Sequence, residues 1–247
     1  MEKTIKVKFV DFGVNNFRET HILAILRERY DVVITDEPEY LFYSVFSDDH
    51  LKYKDCVRIF VTTENLAPDY NLCDYSMDYE WLEYADRHLR FPIYGFRPYS
   101  SMYDKCLSKH INVEEAALPE KSEFCSFVYS NPDADPFRTK LFLAIDSYKR
   151  VNSGGRYMNN VGIPQGVPDK YEFQIKHKFA IACENSAHPG YTTEKLVEAF
   201  AAKTVPIYWG DPWVKEVFNG KSFICVSDFE SLDACVAYIQ KVDSDDE

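Results

Sequence analysis

Residues 178–210, KFAIACENSAHPGYTTEKLVEAFAAKTVPIYWG, constrain the fold of this chain more than any other stretch. An apolar run of strand length, Phe179 to Cys183, leads into a polar loop with Pro189 and Gly190. A helical pattern follows, then a second apolar run, Val205 to Trp209. This is a βαβ unit. The helix is expected to start at Thr192 or Thr193, where a side-chain hydroxyl accepts from an unpaired backbone N–H of the first turn. Leu196, Ala199 and Phe200, with Val197 beside them, then lie at the spacing that packs on a sheet. The loop and the helix N-terminus are thereby set at the carboxyl edge of a parallel sheet, where open α/β folds bind their ligands.

The residues at that edge have a specific chemistry. The first-turn N–H groups and the positive end of the helix dipole favour an anion. Lys195 adds a full positive charge, and Asn185 and Tyr191 add neutral polar contacts. Glu194 adds an acceptor that repels phosphate but suits sugar hydroxyls. Together they fit a nucleoside diphosphate with its ribose.

The order of residues, Glu184-Asn185-Ser186, Tyr191, Thr193-Glu194-Lys195 and then Val205 to Gly210, resembles the signature of the α-1,3-fucosyltransferases of glycosyltransferase family 10. About a dozen fixed positions in one short window say more than a three-residue motif. The plainer alternative is a structural βα loop in any α/β protein.

With 247 residues, 46% of them hydrophobic and 16% aromatic, the chain has material for two buried cores. Two domains are expected, residues 1–115 and 120–247, with a linker carrying a helix between Tyr99 and Lys121. A net charge of −12 opposes a nucleic-acid groove, which needs a cationic stripe. It does not oppose one diphosphate in a locally positive cleft. The seven cysteines are dispersed, with no C-x-x-C pair and no His/Cys ligand spacing, and read as reduced packing thiols of a cytosolic protein. No stretch resembles a signal peptide or a membrane span. The expectation is a cytoplasmic protein, soluble or peripheral at the inner face of a bacterial membrane.

In chain order, Lys6 to Phe12 reads as a first strand and Asn15 to Arg18 as the lead into a helix from about Glu19 to Arg29, with Ile22, Leu23, Ile25 and Leu26 on its buried side. Val32 to Ile34 and Tyr40 to Val45 read as short strands. Val57 to Val61 delivers the chain to Thr62-Thr63-Glu64-Asn65, a polar cluster directly after a buried strand. By itself Glu64 is one acid among 40 acidic residues, free to be a solvated or capping group. From Pro68 to Arg97 the chain is rich in Tyr, Trp and Phe interleaved with acids, the composition of a sugar-binding groove or of buried aromatics with satisfied polar tips.

Phe124 to Ser130 reads as a strand, and a helix from about Pro136 to Lys149 places Arg138 at a second helix N-terminus. Arg150 to Arg156 turns at its glycines and either shapes a ligand pocket or is only a hairpin. Phe223 to Val226 is a strand, Phe229 to Val242 a helix, and Asp243 to Glu247 a frayed tail.

The resemblance extends from Val57 to Pro92 and from Phe124 to Gly210. It implies an α/β fold of GT-B architecture, two Rossmann-like domains facing a central cleft, with acceptor bound by the first and GDP-β-L-fucose by the second. The implied reaction is inverting transfer of L-fucose to a hydroxyl, O3 of N-acetylglucosamine in an acceptor such as N-acetyllactosamine. It makes Glu64 the general base and Arg138, Asn185, Tyr191, Glu194 and Lys195 the donor-binding residues. No metal and no further cofactor is then obligatory, because the cations stabilise the departing diphosphate. Two alternatives stay open: a metal-dependent GT-A-like transferase using Asp133 and Asp135, and a noncatalytic nucleotide-sugar or glycan-binding module.

Overall fold

The computed structural model describes residues 3–14, 16–107 and 120–245. The expected boundary between 115 and 120, the lead residue Asn15 and the last two residues of the tail lie outside the described residues. The chain divides into two units, Met1–Ser101 and Met102–Glu247.

The first unit holds strands β1 (Lys3–Val10), β2 (Tyr30–Ile34), β3 (Tyr40–Tyr43), β4 (Val57–Val61), β5 (Tyr75–Asp78) and β6 (His88–Arg90), with helix α1 (Phe17–Arg27) between β1 and β2. All pairings are parallel and the order is β2-β1-β3-β4-β5-β6. The order reverses between β1 and β3. Ile5, Val7, Phe42 and Val61 pack with Ile22 of α1 and with Phe96, whereas the neighbouring Tyr43 and Phe60 pack with Cys73 in a second cluster. Alternation along each strand places the two clusters on opposite faces.

Two expectations change here. Ile25 is not on the buried side of α1 but half exposed; Ile22 and Arg18 are the residues that the helix buries. The aromatic stretch supplies β5 and β6, short strands whose Tyr and polar content hides their pattern. Its Tyr79, Tyr94 and Phe96 are buried, whereas Tyr75, Trp81 and Tyr84 remain exposed.

Helix α2 (Ser100–Leu107) follows, and the second unit holds β7 (Glu123–Phe127), α3 (Phe137–Tyr148), β8 (Val151–Ser153), α4 (Lys170–Gln174), β9 (His177–Cys183), α5 (Glu194–Ala201), β10 (Val205–Trp209), β11 (Ile224–Cys225) and α6 (Leu232–Asp243). Its sheet is also all parallel, in the order β11-β10-β9-β7-β8. Phe179, Ile181, Cys183 and Ile207 pack under α3 and α6, and Ala182 and Tyr208 pack under Leu196 of α5. The βαβ unit read from residues 178–210 is thus buried on both faces, as a near-continuous apolar run requires. Because β8 pairs parallel to β7, the segment from Val151 is not a hairpin. Asp243 is not frayed: its buried carboxylate accepts from Lys149 Nζ at 2.8 Å and Tyr148 Oη at 3.0 Å. Among the described residues no helix is long and apolar enough to cross a membrane.

Candidate functional site

In the second unit the strand order reverses between β7 and β9, so the crevice outside their carboxyl ends is the place where such a sheet receives a ligand. Arg138 follows β7 and the Glu184–Lys195 segment follows β9. The topology therefore brings these cations to the two sides of one reversal.

At the end of β9, Glu184 is fully buried, and its backbone N–H still pairs with Trp209 O at 2.9 Å. Its carboxylate accepts from Thr193 N at 2.8 Å, Thr193 Oγ1 at 2.6 Å and Lys195 Nζ at 3.2 Å. The Thr193 hydroxyl was expected to cap α5. Instead it donates to Glu184 and accepts from Lys195 Nζ at 2.8 Å, and it makes no cap bond to the helix. A carboxylate nine residues upstream was closer in space than any first-turn N–H, which sequence spacing does not reveal.

Lys195 also lies 3.4 Å from Glu194 Oε1. Burial pulls against the Lys195 charge, but Glu184 and Glu194 outweigh it and raise the ammonium pKa above its ordinary value. Burial raises the Glu184 carboxyl pKa despite Lys195, while Lys195 and Lys170 hold that of Glu194 down against its own burial. Lys195 therefore stands at the centre of a carboxylate pair.

Arg138 is 1% exposed. Its Nη2 donates to Cys183 O at 3.2 Å and Asn185 Oδ1 at 2.6 Å, and its guanidinium carbon stands 4.1 Å from the Tyr129 ring centroid. Nε is buried and has no hydrogen-bond partner among the described residues. Tyr129 is itself fixed, donating to Ile181 O at 2.9 Å and accepting from Cys183 N at 2.7 Å. Burial raises the phenol pKa, and both Arg138 and Lys195 act against that rise, so the two cations share one neighbourhood. A guanidinium with an unused Nε–H in such a place has the donor set for a phosphate oxygen.

Asn185 joins the cluster through Arg138 and through its carbonyl, which accepts from Asp135 N at 2.8 Å. Tyr191 is buried in the loop, 3% exposed. Asp211 ties that loop down: Oδ1 accepts from Gly190 N at 2.8 Å and Oδ2 from Thr192 Oγ1 at 2.8 Å. Tyr129 and Asp211 are supporting residues that sequence reasoning missed, and Glu184, present in the signature, had no role assigned there. For Glu184 the available signal was its position directly after the apolar run Phe179 to Cys183.

In the first unit, Glu64 follows β4 and is half-buried. Its N–H donates to Thr62 Oγ1 at 3.0 Å and its carbonyl accepts from Leu66 N at 2.7 Å, so the turn holding the carboxylate is pinned at both ends. Beside it, Asn65 Oδ1 accepts from Tyr79 Oη at 2.7 Å.

The residues of the metal-dependent alternative are differently engaged. Asp133 is exposed, and Asp135 Oδ1 accepts from Phe137 N at 2.8 Å, the ordinary task of an acid at a helix start. Among the described residues no group of three or more His, Cys, Asp or Glu is placed to hold a metal ion.

Two family descriptions match the chain: the α-(1,3)-fucosyltransferase FucT N-terminal domain over residues 7–99 and the glycosyltransferase family 10 (fucosyltransferase) C-terminal region over residues 118–247. The chain is 34% identical to the α-(1,3)-fucosyltransferase FucT of Helicobacter pylori over 93% of its own length and 54% of that protein's. It thus spans about half the length of that curated relative. Its fold matches a crystal structure of α1,3-fucosyltransferase with GDP-fucose at a TM-score of 0.81 and 28% identity, covering 99% of this chain and 79% of that one. A second α1,3-fucosyltransferase crystal structure matches at a TM-score of 0.83 and 29% identity, covering 98% and 79%. The two Rossmann-like units accordingly belong to the GT-B fold class.

Proposed function

Because the chain belongs to glycosyltransferase family 10, the fucosyltransferases, we propose that it transfers L-fucose from GDP-β-L-fucose to O3 of N-acetylglucosamine in an oligosaccharide such as N-acetyllactosamine, with inversion. The observation that carries this reading is the placement of Arg138 and Lys195 on the two sides of the strand-order reversal in the second sheet. That is where a diphosphate is held.

In a single displacement, the acceptor oxygen bonds to the anomeric carbon as the bond from that carbon to the β-phosphate oxygen breaks. The acceptor proton passes to Glu64, and the electron pair leaves with GDP. Arg138, through Nε and its remaining N–H groups, and Lys195 stabilise the charge growing on the diphosphate. Asn185 orients the guanidinium, and Glu194 accepts from ribose or sugar hydroxyls. Tyr191 shapes the donor loop. With this cationic set no metal is obligatory. On this reading residues 1–115 bind acceptor and 120–247 bind donor, and the enzyme works in the cytoplasm or peripherally at the inner membrane face, where glycolipid acceptors are reached.

Calorimetry and product assays test it together. Glu64→Ala is expected to bind GDP normally and lose turnover by about a hundredfold or more. Arg138→Ala is expected to lose GDP affinity. Normal turnover by Glu64→Ala would remove Glu64 from the mechanism, and unchanged GDP binding by Arg138→Ala would move the donor site elsewhere.

A further inference from the structure

Arg18 is buried at 2% exposure in the first turn of α1, the last place where sheet packing calls for a charge. Its guanidinium is enclosed by the rings of Phe12, Phe17 and Phe46, with centroids 5.8, 5.1 and 5.3 Å away. Nη2 donates to Phe12 O at 3.0 Å and Nη1 to Thr63 Oγ1 at 2.7 Å. Nε has no partner. Among the described residues no carboxylate forms an ion pair with it, and the acid whose field acts on it is Glu64.

Burying a cation without a contact ion pair is unfavourable, and an apolar residue would fill the same aromatic box at less cost. The cost falls at one position. Thr63 is the residue before Glu64, and gripping its side chain holds the peptide from which the Glu64 side chain springs. The aromatic walls lower the local dielectric, so a positive charge at this depth acts on the nearby carboxylate with little screening.

We propose that Arg18 is the positioning residue of the Glu64 general base, fixing it through Thr63 and setting a buried positive charge beside the turn that carries it. This rests on Glu64 being the base. Because Arg18 acts through Thr63 and Glu64, its effect is expected on the chemical step and not on binding.

The test uses the whole chain, with GDP-fucose as donor and N-acetyllactosamine as acceptor. Arg18→Met is expected to lower kcat roughly tenfold to a hundredfold while acceptor KM and GDP Kd stay within about twofold. Arg18→Lys, which keeps the charge, recovers part of that loss. Combined with Glu64→Ala, Arg18→Met should remove no further activity, because a group that acts through the base has nothing to act on once the base is gone. A kcat unchanged in Arg18→Met, a loss confined to KM or Kd, or losses that multiply in the double variant would overturn the role of Arg18. Normal turnover by Glu64→Ala alone would overturn the base reading and Arg18's role with it. If thermal unfolding shows Arg18→Met to be unfolded, Thr63→Val decides: it deletes only the gripped hydroxyl and is expected to lower kcat with KM unchanged, and wild-type kcat would overturn the proposal.

Discussion

The ammonium of Lys195 lies 3.2 Å from a carboxylate oxygen of Glu184, a residue with no exposed surface. The pair joins the end of β9 to the first turn of α5, with the Thr193 hydroxyl bridging the two charges. Lys195 is thus a structural ion of this fold.

Removing Lys195 leaves the buried Glu184 carboxylate without its counter-ion. Lys195→Met is expected to destabilise the protein by about 3 kcal/mol in urea unfolding, and adding Glu184→Gln should recover most of that loss. GDP affinity, read by calorimetry, should stay low in both variants because the cation is missing from each. Recovery of GDP binding in the double variant would show that Lys195 serves the fold alone.

Gly210 ends β10 with φ +152, and a Cβ there would come within 2.4 Å of Glu184 Cγ and 2.7 Å of Glu184 Cβ. Gly210→Ala must push the Glu184 side chain off Thr193 and Lys195. A loss of about 3 kcal/mol is expected, from backbone strain and overpacking together. GDP affinity should fall in the same variant.

Asp11 ends β1 and is buried, and its Oδ2 accepts from His50 N at 3.1 Å and lies 2.7 Å from His50 Nδ1. Its Oδ1 accepts from Asp49 N at 3.0 Å and from the Ser47 hydroxyl. Burial raises its pKa, but these hydrogen bonds together lower it below the ordinary 3.8. The folded chain therefore binds this proton less readily than the unfolded chain. Its stabilisation is present above pH 3.8 and is lost as the pH falls through the depressed folded value. Asn tolerates the positive φ of 64 found here. Asp11→Asn should cost about 2 kcal/mol at neutral pH, and the difference from wild type should shrink in urea unfolding as the pH drops toward 3. A difference constant with pH would assign the cost to shape and not to charge.

Transfer assayed in excess chelator is expected to match transfer without it, and Asp133→Ala should leave the rate unchanged. A loss in chelator that a divalent cation restores, together with a loss in Asp133→Ala, would bring the metal-dependent alternative back.

The βαβ unit at 178–210 and strand β4 were legible because apolar runs of strand length have few other fates in a chain of this composition. β5, β6 and β8 were not: three or four residues carry too little period, and their pairing depends on neighbours far along the chain. The Glu184–Lys195 contact, the grip of Arg18 on Thr63 and the tether of Asp211 to Gly190 were invisible for the same reason.

Alternation, helix spacing and the positions of Pro, Gly and charged residues are local properties, and from them the amino-acid order determined the α/β class, the family resemblance and the set of residues at the strand ends. Only the folded sheets decided which of those residues meet. Strand order selects the crevice, and burial decides which charges must pair: Lys195 with two carboxylates, and Arg138 with a carbonyl, an amide and an aromatic ring. Electrostatic energy depends on distance and desolvation, and neither is a property of position along the chain.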